Sequence, residues 1–451
     1  MTPAGIETTP VIYQNDDIAD HARDSYSSGA LDALEELLWK RGTFQFPVTR
    51  QGLFPAAAVD ASTRYTRYDK VWLRDNVYVI YAHWLAGRRG PAVRATQALM
   101  DFVAGQRLRF DRIIRGETDP RDRANRPHVR FSGATLGELK QRWSHAENDA
   151  LGYFLWLSCR LAREGLIDVR ALGRELDTLS MFPRYFERIQ YWQDRDSGHW
   201  EETPKVSASS IGVVVGGLRE YRLLVGHLRQ TGHVGKSWAQ GEFALCEAMI
   251  HEGREALADI LPAECVENDP SRSRRYDAAL LFLVFPMEVV EEEMASRILS
   301  DVTSYLQGEY GIRRYLGDSY WCPNYKKKVP PAKRTANYAD DLSWRDALGE
   351  EGKEAQWCIF DPIVSAIYGR RYQRNGRRED LARQVLYLNR SLGKITGKEN
   401  PFGAFKCPEL YYLENGRWVA NDATPLLWTQ ANLLVAMRIM RESLQHPTKP
   451  R

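Results

Sequence analysis

From about residue 30 onward, apolar residues recur at intervals of three and four, while period-two alternation is rare. This pattern predicts helices near residues 30–40, 74–87, 92–106, 147–163, 174–193, 207–228, 238–256, 274–284, 289–307, 355–369, 378–392 and 425–443. Gly90-Pro91, Gly198, Pro262, Pro330-Pro331, Pro401 and Gly416 punctuate the intervals. Twelve helices joined by several long loops predict an all-α fold, an (α/α)6 toroid in which an inner ring is wrapped by an outer one. The segments 207–228 and 147–163 are apolar around much of their circumference, as inner-ring helices must be. An α-solenoid is the competing architecture, but it requires a fixed sequence repeat and none is present.

No Gly/Ser/Pro-rich linker divides the chain, so the expected organisation is an N-terminal extension, residues 1–27, followed by one domain over 28–445. The longest stretches without periodicity, about 108–146 and 308–354, are rich in Arg, Trp, Tyr and Asp, and loops of that length in a compact domain are usually functional. The 451 residues carry a formal net charge of +3 with no long run of one sign, which argues against a nucleic-acid partner. No apolar run is long enough to cross a bilayer, so no membrane partner is expected. The N-terminal segment has neither the basic opening nor the apolar stretch of a secretory leader. Six cysteines stand as singletons without metal-site spacing, which fits a reducing cytoplasm and predicts no metal and no cofactor.

Five clusters carry candidate chemistry. Tyr68-Asp69-Lys70-Val71-Trp72-Leu73-Arg74-Asp75-Asn76 stands at a helix entry, where Asp75 or Asn76 is a candidate cap and an Arg beside an Asp is equipped to grip vicinal hydroxyls. Trp143 sits in the polar stretch Gln141 to Gly152 with Asn148 and Asp149, and an aromatic face among polar neighbours suits a pyranose ring as well as it suits packing. In Trp200-Glu201-Glu202, packing against the indole and repulsion between the two carboxyls would both favour a protonated Glu. Arg313, Arg314, Tyr315, Asp318, Tyr320 and Trp321 form a loop dense in rings and guanidinium donors. Glu409, in Pro408-Glu409-Leu410-Tyr411-Tyr412, is flanked by apolar and aromatic residues and followed by Trp428 at the opening of the last helix. Two carboxylates supplied by segments about two hundred residues apart suggest sugar-bond chemistry.

The order and spacing of these clusters resemble the glucoamylase-like proteins of glycoside hydrolase family 15, and within them the N-terminal domain of the phosphorylase kinase α and β subunits and their bacterial relatives. The resemblance is carried by Trp72 to Asn76, His145 to Gly152, Trp200-Glu201-Glu202, Arg314-Tyr315 with Asp318 and Tyr320, and Pro408 to Tyr412 with Trp428. It spans roughly residues 65–440 and implies the six-hairpin toroid, with all five clusters converging on a funnel at one end of the inner helices.

The resemblance further implies an inverting exo-acting α-glucosidase. Arg74, Asp75 and Arg314 would hold hydroxyls of the terminal glucose, Trp143 and Trp200 would shape the sugar site, and Glu202 would contact the next sugar unit. Glu201 would be the general acid and Glu409 the general base. Trp72, Asp149, Asp318, Tyr320 and Trp428 complete the expected binding set. Inversion requires carboxyls roughly 6.5–9.5 Å apart, with room for a water between base and anomeric carbon. The expected partner is an α-linked glucose disaccharide or oligosaccharide, with the linkage and the oligomeric state left open. The kinase-subunit likeness keeps a silent carbohydrate-binding or regulatory domain as the alternative.

Overall fold

A computed structural model describes residues 10–140, 143–167, 173–334 and 342–445. Gln141 and Arg142 of the second cluster, and residues 335–341 of the long 308–354 loop, lie outside the described residues.

Six helical segments pack side to side into a closed inner ring. In order around it they are Leu73–Leu85, Asn148–Arg163, Ala208–Gln230, Leu281–Val284 with the 3-10 turn Ala278–Leu280 before it, Phe360–Asn375 and Leu427–Gln445, the last packing back on the first. Ser28–Lys40, Arg89–Gly105, Met181–Ile189, Lys236–Ile260, Glu292–Asp301 and Arg378–Gly393 wrap the outside. The sequence distinguishes the two rings. Every residue from Leu73 to His83, from Ala208 to Leu218 and from Phe360 to Gly369 is buried, whereas Lys236–Ile260 buries a single stripe. The fold is the all-α (α/α)6 toroid.

The ring closes tightly because glycines let its helices approach. A Cβ on Gly217 would stand 2.7 Å from the carbonyl oxygen of Gly152, so the Ala208–Gln230 and Asn148–Arg163 helices are in backbone contact there. The ring's axis is filled with aromatic side chains. Tyr78 donates to Tyr153 at 2.8 Å, and Trp428 packs on Tyr78 and Phe282 at centroid distances of 4.9 and 5.7 Å. This plug turns one end of the toroid into a blind pocket.

Several element boundaries differ from the pattern. The 174–193 segment breaks at Ser180 into Gly173–Leu179 and Met181–Ile189. The 274–284 helix contracts to its last seven residues and stops before Pro286, because Phe285 must leave the helical region ahead of a proline. Residues 289–307 begin their helix at Glu292 and widen into a π turn over Val302–Leu306. Residues 355–359 are not helical, since Gln356–Trp357 pairs with Leu410 and Tyr411 in a three-stranded sheet. That sheet contains the hairpin Leu410–Glu414 with Arg417–Ala420, turned by Asn415 and Gly416, both at positive φ. Arg107–Ile114 forms a helix inside a stretch without evident periodicity. Residues 10–27 lie against the C-terminal end of the Arg378–Gly393 helix, with Gln14 N donating to Gly393 O and Tyr26 to Asn389, each bond within 2.9 Å. No helix among the described residues is long and apolar enough to cross a membrane.

The backbone contact at Gly217 generates a test. Gly217→Ala is expected to destabilise the protein by about 1–3 kcal/mol through overpacking against backbone. Gly226→Ala in the same helix, where the nearest foreign atom is 4.0 Å from the added carbon, should be neutral or stabilising by up to about 1 kcal/mol. Urea midpoints of the two variants measure the difference; equal shifts would count against the close approach.

Candidate functional site

The N-terminal ends of the inner helices converge on the open end of the plug. Arg74 and Asp75 are in the first turn of their helix, Trp428 is second in the last helix, Glu201 precedes Ala208, and Trp357 precedes Phe360. These ends carry partial positive charge, so acceptors and anions are favoured where they meet. The pocket there encloses about 810 Å³ of space between atoms, the solvent at its mouth included. Of the sequence-derived residues, Trp72, Arg74, Asp75, Trp143, Trp200, Glu201, Arg314, Tyr320, Glu409 and Trp428 line it.

Two loops are pinned together to bring Glu201 over Arg74. Ser197 N donates to Ala146 O at 2.7 Å, and Asp196 accepts from the Asn148 amide at 3.0 Å at the head of its helix. The Arg74 guanidinium is 2% exposed. It bonds Asp149, lies 3.2 Å from Glu201 and 3.5 Å from Glu147. Asp149 therefore stands behind the lining and holds Arg74 in position. Glu201 occupies the left-handed backbone region at φ 56°, a conformation that few non-glycine residues adopt and that clusters at functional sites.

Hydrogen bonds and ion pairs fix the residues on either side of Glu201. The Trp200 indole donates to Asp277 at 3.0 Å. Glu202 is buried, bonded to Arg274 at 3.0 Å, to Tyr315 and to Arg314, and these cations with Lys205 overcome its burial and hold its carboxyl far below the usual range. It borders the adjoining cleft rather than the pocket. Glu147 and Asp75, both raised chiefly by burial, also feel the charge of Glu201, and the Arg74 guanidinium lies 3.2 Å from it. Asp318 likewise works from behind, gripping Arg314 with two bonds of 2.7 and 2.6 Å.

On the opposite wall Glu409 sits at the start of the Leu410–Glu414 strand and is 2% exposed. Tyr68 donates to its Oε1 at 2.9 Å and Asn421 to its Oε2. Burial pushes its carboxyl up to about 7, against the opposing effect of those two bonds. Burial likewise raises Asp75 to about 7, with Arg74 pulling the other way. The arrangement brings two carboxyls from different segments, guanidinium donors and tryptophan side chains to one pocket. Among the described residues no cluster of potential ligands would hold a metal ion.

The sequence reading omitted Tyr68, Glu147, Asn421, Trp357, Arg130 and Arg345 from the site. Tyr68 lay within the first cluster and could have been included as an aromatic hydroxyl beside an Arg-Asp pair. Arg130, which lies 4.5 and 4.3 Å from the ring centres of Trp72 and Trp143, comes from the long loop, with no local signal linking it to either. Asn76 does not cap its helix, whose N-cap is Trp72; its side chain clamps the Phe54 backbone instead.

A closed double ring of helices, with a blind pocket at the N-terminal ends of the inner ring, defines a glucoamylase-type (α/α)6 fold. The family that the chain resembles is glycosyl hydrolases family 15, whose model matches residues 39–225. A wild-type glycosidase superposes with a TM-score of 0.63 at 18% identity over 92% of this chain and 99% of that one. The glucoamylase of Saccharomycopsis fibuligera gives 0.58 at 12% identity over 94% and 97%. Among curated proteins, the probable phosphorylase b kinase regulatory subunit alpha of Caenorhabditis elegans is 27% identical over 331 residues, 66% of this chain and 25% of that protein. The liver isoform of the regulatory subunit alpha from Takifugu rubripes is 24% identical over 356 residues, 70% and 25%. The chain thus spans about a quarter of the length of these curated relatives.

The raised carboxyls link proton binding to folding. A carboxyl that holds its proton more tightly when folded contributes stability that is fully present below its unfolded pKa, near 4, and lost as pH climbs through about 7. Asp196, raised by burial to about 7, acts in the same direction. His83, His128 and His199, lowered by burial to about 4, act in the opposite direction up to about pH 6.5, so the test is the difference between proteins: from pH 5 to pH 8 the urea midpoint of the unaltered protein should lose ground relative to that of Glu409→Gln. Identical pH profiles would show that Glu409 ionises normally.

Proposed function

We propose that this chain is an inverting exo-acting α-glucosidase acting on a soluble α-glucoside or short α-glucan in the cytoplasm, with residues 28–445 as its single catalytic domain and 1–27 as an extension. The observation that carries the reading is that Glu201 and Glu409 line one blind pocket from different segments, with Tyr68 and Asn421 fixing the orientation of Glu409. A solved glycosidase variant in complex with glucose, with a TM-score of 0.63 over 93% of this chain at 18% identity, supports a glucose-type ligand. A pocket closed by an aromatic plug admits a chain end rather than a chain interior, which favours exo action.

In this reading Arg74, Asp75 and Arg314 orient the terminal sugar. Glu201 gives its proton to the glycosidic oxygen as the bond to the anomeric carbon lengthens, and the tryptophans exclude bulk water. Glu409 takes a proton from the water that attacks the opposite face, so the product has the inverted configuration. The unshared Nε1 donors of Trp357 and Trp428 have no partner among the described residues and can serve sugar hydroxyls. Six free, buried thiols fit a reducing compartment. A second reading, a carbohydrate-binding domain without turnover, is favoured by the regulatory-subunit names of the curated relatives.

Proton NMR of the protein with maltose, isomaltose, trehalose and short malto-oligosaccharides separates the two readings. Release of β-glucose first is expected, and the substrate that yields it identifies the linkage. Binding by calorimetry without release of glucose from any of them would establish the silent domain. Glu201→Gln and Glu409→Gln are each expected to lower kcat by about 10²–10⁴-fold with an unchanged circular dichroism spectrum. Normal turnover by either variant removes that residue from the mechanism.

A further inference from the structure

Arg345 lies on the short helix Ser343–Asp346 and lines the pocket beside Arg314 and Tyr320. It is 7% exposed, and its guanidinium carbon is 5.8 Å from the Tyr320 ring centre. Four other deeply buried arginines each face a carboxylate: Arg74 has Asp149, Arg126 has Asp194, Arg314 has Asp318 and Arg390 has Asp361. The Arg345 guanidinium makes no hydrogen bond or ion pair among the described residues, and its Nε is buried without a partner. Glu202 and the adjacent Asp346 interact with its charge from a distance without an ion pair; the Glu202 oxygens are already bonded to Arg274, Arg314 and Tyr315, and Asp346 accepts from Ser319 at 3.1 Å. The pocket carboxylates Asp75, Glu201 and Glu409 do not reach it.

An unmatched buried cation is costly to keep unless a ligand supplies its counter-charge. The planar guanidinium fork fits a carboxylate or phosphate with two parallel bonds, and a neutral hydroxyl offers less. Its location narrows the assignment further. Ser343 and Asp346, on either side of Arg345 in the same turn, border the adjoining cleft, where Lys205, Arg272 and Arg274 stand with Glu202 and Glu267. Arg345 therefore stands where the pocket meets the space available to the departing part of a substrate.

We propose that Arg345 forms a subsite for an anionic substituent, a phosphate ester or a carboxylate, carried by the sugar at the junction between pocket and cleft. The assignment rests on the glucoside reading of the pocket and specifies the chemical class of its substrate.

Calorimetry on the full chain at low ionic strength, with glucose, glucose 1-phosphate, glucose 6-phosphate and glucuronic acid, tests it. At least one charged sugar should bind about 10-fold more tightly than glucose, an advantage that shrinks with added salt. A phosphate sugar in that place identifies a phosphate ester, and glucuronic acid a carboxylate. In Arg345→Gln the ratio of charged to neutral affinity should collapse toward one. In Arg345→Lys, which keeps the charge and loses the fork, it should fall about threefold or more. Glucose binding without preference for any charged sugar overturns the subsite and leaves the glucoside reading standing. An unchanged ratio in either variant also overturns it. Failure of every sugar to bind overturns both readings.

Discussion

The Arg74 guanidinium, buried among Asp149, Glu147 and Glu201, is the interaction on which the candidate site depends. A cation taken out of water at this depth is tolerable only with its carboxylates held in place. That requirement ties together the Leu73–Leu85 helix, the head of the Asn148–Arg163 helix and the turn before Ala208–Gln230. Three consecutive members of the inner ring are thereby locked at the end where the pocket opens. The Ser197 to Ala146 and Asn148 to Asp196 bonds perform the same task for the backbone.

A second arginine organises the facing wall by the same means. Arg314 is gripped by Asp318 and shared with Glu202, and its guanidinium carbon lies 5.0–5.3 Å from the ring centres of Trp200, Trp357 and Tyr320. Carboxylates behind the lining thus fix the cations, and the cations present donors to the pocket. Glu409 stands apart from both arrangements. It is held by neutral donors, Tyr68 and Asn421, and burial outweighs those bonds and the more distant pull of Arg314 to keep its carboxyl raised.

The architecture was legible in the sequence because inner-ring helices must be apolar nearly all round, and that property is visible without tertiary knowledge. Helix ends were legible where a local residue sets them, as Gly376 does at φ 69° after Asn375. They were illegible where a distant segment decides, as at residues 355–359, whose partner strand lies more than fifty positions away. The candidate site divides in the same way. Carboxylates in aromatic surroundings stood out individually, and ten of the expected residues share one pocket. The supporting residues could not be assigned from spacing, because nothing local tells that Asp149 grips Arg74 from behind or that Glu202 faces the neighbouring cleft. Spacing also could not tell that Glu147 and Asp75 come within electrostatic reach of Glu201, which only folding brings about.

The left-handed backbone at Glu201 also bears on how the chain could diverge. Glycine would relax that turn at little conformational cost, but it would also take a carboxylate from beside the buried Arg74, so the strained backbone is retained together with the ion pair it presents. Backbone relaxation and charge balance therefore pull in opposite directions at one residue. A lineage using the toroid only as a structural module would lose this glutamate most easily together with Arg74.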